Sequence, residues 1–512
     1  MHHRREVLRL GARATAAALA TGTAVGAAGG QAAAAVHTGP PAGAPATAGG
    51  EPEAAAWRAL GRALGPGAGL HRPGGSGYRK LADPDNLRYA HVRPAGIVTC
   101  AEAKDVQTAV RWASVHGVPL VARSGGHNYA GHSTTTGLLI SLRPMHAVTP
   151  HGRSLRVGGG ATNSDVYRAR SSNLYVPGGR CPEVGVAGLT LGGGLGFNDR
   201  KWGLTCDRLL ETEVVLADGA LVRASERENS ELFWACRGGA GGNFGINTGF
   251  TFRAVPVDRQ VATVFDLSFP VDASVALAAA VQEALERDRA GDLDVRLSFS
   301  RSAGEPARAA LLGQYLGDED RLRRLLRPVL ALRPRTGTLE QRHFWAAQDR
   351  LMAGPGRAAM ATRSLVPNRP LDDRTVETIA GWAQDWRSGG PGSAGYVTLF
   401  AMGGAAALPG AEETAYPHRD ATFVVDIGTH WDPAEAAALP EAVRRLLEQT
   451  GAVHRTLTGL LGTKAAYVNF PDPDLADWTR AYYGGNYERL VAVKRHYDPG
   501  HVFHYRQSVG SA

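Results

Sequence analysis

Apolar and polar positions change rhythm several times along the chain, and each change marks an element. A short apolar run begins at Ile97. Residues 102–116 then place Val106, Ala109, Val110 and Ala113 at helical spacing, and 118–122 is apolar again, so the predicted order is strand, helix, strand. The second strand runs into a polar turn, 123–131, whose adjacent glycines expose backbone N–H groups of the kind that hold a pyrophosphate. Alternation returns at 138–142 and 155–157, and a glycine-rich passage fills 177–196. Residues 209–216 and 221–224, joined at Asp218-Gly219, read as a hairpin. Asn229 or Ser230 can cap a short helix through Ala235, and a second glycine turn, 238–245, leads into a strand over 246–252.

From 258 to 453 the texture differs. Strands such as 296–299, 396–401 and 422–427 alternate with amphipathic helices such as 441–449, which predicts an antiparallel sheet with helices on one face. The fold class expected is α+β in two domains, one built from 56–257 and the returning tail 454–512, the other from 258–453. Residues 390–395 satisfy GxGxxG by letter alone. They follow no strand and open no helix, so they are no dinucleotide fingerprint.

With 512 residues, 44% hydrophobic and 20% charged, the chain can bury a full core, and disorder, collagen and coiled coil are excluded. Three of its eight net positive charges lie in the first 35 residues, and the remainder is too small to argue for nucleic acid. The densest basic run, Arg321, Arg323, Arg324 and Arg327, alternates with leucines after an acidic triplet and reads as a solvated helix face. Arg4-Arg5 before an alanine-rich stretch, 10–28, and small residues at 33–35 resemble a twin-arginine export signal. Residues 36–55, rich in Ala, Gly, Pro and Thr, read as a tether. The expectation is a secreted protein that meets the twin-arginine machinery and carries no membrane span. Cys100, Cys181, Cys206 and Cys236 form no CxxC pair, and export leaves a bond between Cys206 and Cys236 an open question. His496, His501 and His504 lack a carboxylate or cysteine at ligand spacing, so no metal site is expected.

The chemistry concentrates in a few motifs. RSGGHNYAG (123–131), CPEVGVAGLTLGGGLG (181–196), ELFWACRGGAGGNFG (231–245), YVNFPDPD (467–474), AYYGGNYERL (481–490) and YDPGHVF (497–503) together resemble the berberine bridge enzyme-like FAD-linked oxidases, over about 97–252 and 415–509. The resemblance implies a two-domain flavoprotein fold of the PCMH/VAO type. It also implies FAD bound covalently at two points, a histidine on the 8-methyl carbon and a cysteine sulfur on the central ring, matching His127 and Cys181. Arg180 beside Cys181 would favour the thiolate that attachment needs.

By the same resemblance Arg123, Ser124, Gly125 and Gly126 would meet the pyrophosphate, Gly188, Leu189, Gly192 and Gly193 would line the flavin, and Gly245 with Ile246 would approach the adenine half. Tyr467 and Asn469 would return to the same domain. For several of these glycines a plain turn role is as well supported. Val184 matches a position that gates dioxygen, where valine goes with oxidase behaviour.

One departure bears on mechanism. Where the family often has Tyr-x-Asn-Tyr, with the second tyrosine taking the substrate proton, this chain has Phe470, which carries no proton. Asp426 lies on a strand that resembles the substrate-side strand of the family, and period two puts it on one face with Val424, Gly428 and His430. A lone carboxylate there would have its pKa raised by desolvation, as suits a base; pairing with an arginine or a solvent position fits the sequence equally. Tyr396, Tyr467 and His430 are rival candidates.

The leading reading is a secreted oxidase that takes hydride from a C–H bearing an alcohol, or less often an amine, of a sugar, oligosaccharide or secondary metabolite, and passes two electrons to dioxygen to give hydrogen peroxide. A dehydrogenase with singly attached or unattached FAD and another acceptor is the alternative within the fold. An exported flavin-containing binding protein without turnover stays open because of Phe470.

Overall fold

Asp105 starts the first long helix: its Oδ2 accepts from the backbone N–H of Ala101 at 2.9 Å and of Glu102 at 3.1 Å, satisfying donors that a helix start leaves orphaned. Helix Ala103–Val115 then buries Val106, Ala109, Val110 and Ala113, the four positions whose spacing predicts it. In the computed structural model, which describes residues 52–354, 356–434 and 439–511, this helix crosses a four-stranded sheet. Its strands are β1 (Gly69–His71), β2 (Gly96–Thr99), β3 (Leu120–Arg123) and β4 (Leu138–Ser141), in the order β1-β2-β4-β3. β4 runs parallel to both β2 and β3, so the chain climbs β2, returns through the helix and climbs β3, ending at the glycine turn.

Next come β5 (Val148–His151), β6 (Ser154–Gly158), the two-residue β7 (Leu174–Tyr175), β8 (Leu209–Val215), β9 (Leu221–Ser225), β10 (Ile246–Arg253) and the two-residue β11 (Val255–Pro256). The order β5-β6-β10-β8-β9 forms an antiparallel sheet, with β8 and β9 as the expected hairpin, while β7 pairs with β11. Helix Ser230–Ala235 is present, but its cap differs from expectation. Asn229 takes φ 48°, and its amide donates to Arg223 O at 2.7 Å instead of capping.

The middle of the chain folds into one antiparallel sheet of seven strands: β12 (Val261–Pro270), β13 (Leu293–Ser302), β14 (Arg308–Tyr315), β15 (Thr336–His343), β16 (Ala359–Leu365), β17 (Ala394–Ala401) and β18 (Phe423–Trp431), in the order β15-β12-β14-β13-β17-β18-β16. Leu293, Val295, Leu297 and Phe299 of β13 and Phe423, Val425 and Ile427 of β18 face helices Ser274–Arg287, Asp373–Asp385 and Pro440–Leu461 in one core. Their alternate neighbours, Asp294, Arg296, Val424 and Asp426, face the other way, toward the first domain.

Two expected boundaries shift. Helix Pro440–Leu461 runs through the expected border at 453, and its Val453, Leu457 and Leu461 pack in the core of the seven-stranded sheet, so the return to the first domain comes after Leu461. The last two positions of the expected tether, 54 and 55, belong instead to helix Ala54–Ala63; residues 36–51 of that tether and the expected leader lie outside the described residues. In the tail, Trp478, Tyr482, Tyr483, Leu490 and Val493 pack with Tyr175, Phe233, Phe250 and Phe252 in one core. That core also takes Val264, Phe344 and Leu351 from the middle segment, so the two domains share packing. All four cysteines are free, including Cys206 and Cys236. Among the described residues no helix is long and apolar enough to cross a membrane.

Candidate active site

The turn after β3, the 179–185 loop, the second glycine turn and residues 467–471 and 503–507 of the tail close around a cavity of about 290 Å³, and the seven-stranded sheet adds Arg296, Phe400 and Asp426 to its wall. Twelve of the residues singled out in the sequence line it: Ser124, Gly125, Gly126, His127, Cys181, Val184, Gly188, Leu189, Ile246, Asp426, Tyr467 and Asn469.

Six do not. Arg123 turns its guanidinium away, its Nη1 donating to Leu81 O and its Nε to Ser133 O, both at 2.7 Å, so that it ties loops behind the turn. Gly192 and Gly193 lie where side chains would collide: a Cβ on Gly192 would sit 2.2 Å from Asn469 Oδ1, and one on Gly193 3.0 Å from the Tyr416 ring. Gly245 lets β10 approach β8, since its Cβ would meet Val214 at 2.5 Å. Tyr396 packs over Gly428 and hydrogen-bonds to Asp426. His430 shares the face of Asp426 but lies four residues on, roughly 13 Å along an extended strand, beyond the cavity wall.

His127 sits with Nδ1 3.1 Å from Asp85 Oδ2, while its Nε2 is buried without a hydrogen-bond partner. Burial pushes its pKa down to about 4, so the ring is neutral. Cys181 corrects one expectation. Arg296 and Arg180 do pull its pKa down, but burial outweighs them and the thiol lies above its ordinary value; the Arg180 Nε donates to Ala353 O instead.

Asp426 is 6% exposed and accepts from Thr362 Oγ1 and from Tyr396. Burial raises its pKa to about 7, against the pull of these hydrogen bonds and of Arg296. It is therefore a carboxyl that changes charge near neutrality, facing the cavity. Tyr467 is a poorer base. Its hydroxyl oxygen accepts from Gly194 N–H at 3.0 Å and from Asn469 Nδ2 at 3.1 Å, which occupies both lone pairs. Phe470 stands in the wall beside Tyr129, Phe400 and Tyr467, with ring centroids at 6.0, 5.4 and 5.1 Å.

Sequence reasoning missed Arg296, Asp85, Thr362 and Tyr129. Arg296 carried a signal: in the run LDVRLSFS the polar positions alternate with apolar ones, so an arginine on a mostly buried strand must face something polar. Its guanidinium lies between the rings of Phe197 and Phe400 at 4.2 and 4.5 Å, and burial lowers its pKa to about 10. Asp85, on a short connection far from His127 in sequence, carried none.

The cavity fits a flavin dinucleotide. Ser124 Oγ and His127 Nε2 are buried at its wall without partners, and a Cβ on Gly188 would meet nothing within 4 Å, leaving backbone open to a flat ring system. A family model described as an FAD binding domain matches residues 94–225, and one described as berberine and berberine like matches 466–510. The FAD-linked oxidoreductase YgaK of Bacillus subtilis is 33% identical over 81% of this chain and 91% of its own. The xylooligosaccharide oxidase of Thermothelomyces thermophilus is 31% identical over 85% and 90%. Among solved structures, the glucooligosaccharide oxidase of Acremonium strictum, described with a 6-S-cysteinyl, 8α-N1-histidyl FAD, superposes with a TM-score of 0.75 at 25% identity, covering 87% of this chain and 97% of that one.

Proposed function

Because the chain belongs to the berberine bridge enzyme-like FAD-linked oxidoreductases, we propose that it is an exported oxidase that holds FAD covalently at His127 and Cys181 and oxidises an alcohol of a sugar, oligosaccharide or secondary metabolite, with dioxygen as acceptor and hydrogen peroxide as product. The observation that carries this reading is that His127, Cys181 and Asp426 line one cavity. The likeness to two oligosaccharide oxidases supports the sugar class, and the histidyl and cysteinyl FAD of one of them supports the double attachment.

When bound, the flavin supplies the hydride acceptor. Asp426, as carboxylate, would take the proton from the substrate hydroxyl oxygen as the carbon bearing that oxygen gives up its hydrogen as hydride, and Thr362 and Tyr396 hold the Asp426 oxygens in place for that transfer. Arg296 favours the ionised form of Asp426. Phe400 and Phe470 give the wall an apolar surface that excludes water from the reacting carbon. Ser124, Gly125 and Gly126 line the cavity as a turn suited to receive the pyrophosphate, and Val184 lines it on the loop of Cys181.

Acid precipitation tests the attachment. Flavin colour is expected to stay in the pellet for the parent and for His127→Ala and Cys181→Ala singly, and to leave it only in the double variant; colour in the parent supernatant would overturn the covalent part. Equimolar peroxide per substrate oxidised tests the acceptor. Export by the twin-arginine route predicts that Arg4→Lys with Arg5→Lys keeps the chain inside the cell.

A further inference from the structure

The loop that carries Cys181 turns its carbonyls toward one short helix, Asn163–Arg168. The Tyr167 hydroxyl donates to Gly179 O at 3.2 Å and Asn163 Nδ2 donates to Cys181 O at 3.0 Å. The backbone N–H groups of Ser164 and Asn163 donate to Pro182 O and Val184 O, both at 3.0 Å. The start of this helix is itself held from behind. Asp165 Oδ2 accepts from Thr162 N–H at 2.9 Å and from Arg143 Nη1 at 2.7 Å, and Thr162 pairs with Gly185 in an isolated bridge.

The Cys181 carbonyl accepts two of the hydrogen bonds, one inside its own loop from Val184 N–H at 3.3 Å and one from the Asn163 side chain. The Asn163 amide is thus what ties this peptide to the helix. Asn163 is 2% exposed, and a Cβ on Gly179 would lie 2.9 Å from its Nδ2, so the amide is packed close on that side. Cysteine has a single side-chain torsion with three staggered positions, so the orientation of the Cys181 peptide and that torsion decide where the sulfur lies. Burial keeps the thiol above its ordinary pKa and thiolate scarce, which makes attachment depend the more on orientation.

We propose that Asn163 is a positioning residue for the attachment at Cys181: by holding the Cys181 carbonyl against helix Asn163–Arg168, it keeps the sulfur directed at a ring carbon of the flavin. This rests on the covalent reading of Cys181 given above. In the step, the S–H bond and one ring C–H bond break and an S–C bond forms. Two electrons and two protons pass into the flavin, which is thereby reduced. Dioxygen then takes two electrons and two protons and departs as hydrogen peroxide, restoring oxidised flavin.

The test uses the purified holoprotein in two backgrounds: His127→Ala, where the cysteine is the only point of attachment, and Cys181→Ala, where the histidine is. In each it reads total flavin per chain, the fraction retained in an acid pellet, and Tm. Asn163→Leu keeps the side-chain volume and removes the donor. In the His127→Ala background it is expected to keep total flavin while the retained fraction falls about tenfold, a misplacement of about 1 Å being able to cost about 10²-fold in rate. In the Cys181→Ala background retention is expected to stay unchanged, which a purely structural contact would not predict. Asn163→Ala, which removes the donor without overpacking, is expected to give the same split. Equal retention in both variants and their His127→Ala parent would overturn the role of Asn163. A fall of the same size in both backgrounds, or loss of total flavin with a lowered Tm in both variants, would also overturn it. Release of all flavin by the His127→Ala parent would remove the cysteine attachment itself, and the proposal with it.

Discussion

Gly125 and Gly185 meet backbone to backbone: a Cβ on Gly125 would lie 2.3 Å from Gly185 N, and one on Gly185 would lie 2.3 Å from Gly125 N. This contact brings the turn of His127 and the loop of Cys181 to the same cavity although they are far apart in the chain. Neither neighbour is a flexible side chain that could yield, so overpacking there costs about 1–3 kcal/mol or more and pushes the two loops apart. Gly125→Ala is expected to lower both the flavin-to-protein ratio and Tm, whereas Gly152→Ala, whose Cβ would meet nothing within 4 Å, tests substitution at a glycine that meets no neighbour. Its φ of 58° is a left-handed conformation that alanine adopts at a cost of about 1–2 kcal/mol, so this control reports backbone strain without a clash and is expected to leave the flavin ratio unchanged. An unchanged flavin ratio in Gly125→Ala would count against the shared wall.

The flavin half of the site was legible because its chemistry is local. Residues 123–131 and 181–196 are runs in which glycines and one reactive side chain follow each other, and helix 102–116 and the 209–224 hairpin announce themselves by period and turn. Asp426 was legible as a carboxyl on an apolar strand, but what it pairs with was not. Thr362 and Tyr396 come from the strands on either side, and only the register of β16 and β17 against β18 brings them within reach. The same limit hid Asp85, whose partner depends on how a short connection packs against a glycine turn. Gly192, Gly193 and Gly245 read as cofactor glycines because sequence shows the missing side chain but not the neighbour that requires its absence. The boundary at 453 was misplaced because one amphipathic helix, Pro440–Leu461, spans it without a break in pattern.

Lys494 is fully buried and donates to Asn243 O at 2.6 Å, Phe503 O at 2.5 Å and Asp498 Oδ2 at 2.6 Å. It joins the tail to the second glycine turn, and Phe503 is part of the cavity wall. Lys494→Met leaves the Asp498 carboxylate buried without its cation, which costs about 3–5 kcal/mol. Thermal unfolding is expected to show a large drop in Tm, and Lys494→Met combined with Asp498→Leu is expected to regain part of it. A drop of less than about 1 kcal/mol would mean that the pair contributes little.

Asp426→Asn is expected to lower kcat by about 10²- to 10⁴-fold, the range for losing a general base, without changing flavin content. It also changes the pH dependence of stability in a defined direction. Because the folded carboxyl titrates at about 7, above its unfolded value of 3.8, the folded state binds the proton more tightly, and the stability this gives is lost as pH rises through 7. The Tm of Asp426→Asn relative to the parent is therefore expected to increase between pH 4 and pH 8. Should kcat fall less than tenfold, proton removal belongs to another group.

Arg296 and Asp426 reach the cavity from β13 and β18, with only β17 between them, and the guanidinium favours the carboxylate. If Asp426 must be ionised to act, kcat/KM rises with pH to a plateau above about 7. Removing the positive charge in Arg296→Met makes the carboxylate harder to form, so the rise moves to higher pH. A shift of one unit lowers kcat/KM about tenfold well below the midpoint and leaves the plateau intact. The comparison at pH 6 and pH 9 separates this from a loss of substrate binding, which would lower both equally. Arg296→Lys keeps the charge but not the planar stacking between Phe197 and Phe400. It is therefore expected to hold the pH midpoint near that of the parent while KM rises, and a midpoint that moves as far in Arg296→Lys as in Arg296→Met would show that packing, not charge, sets the ionisation of Asp426.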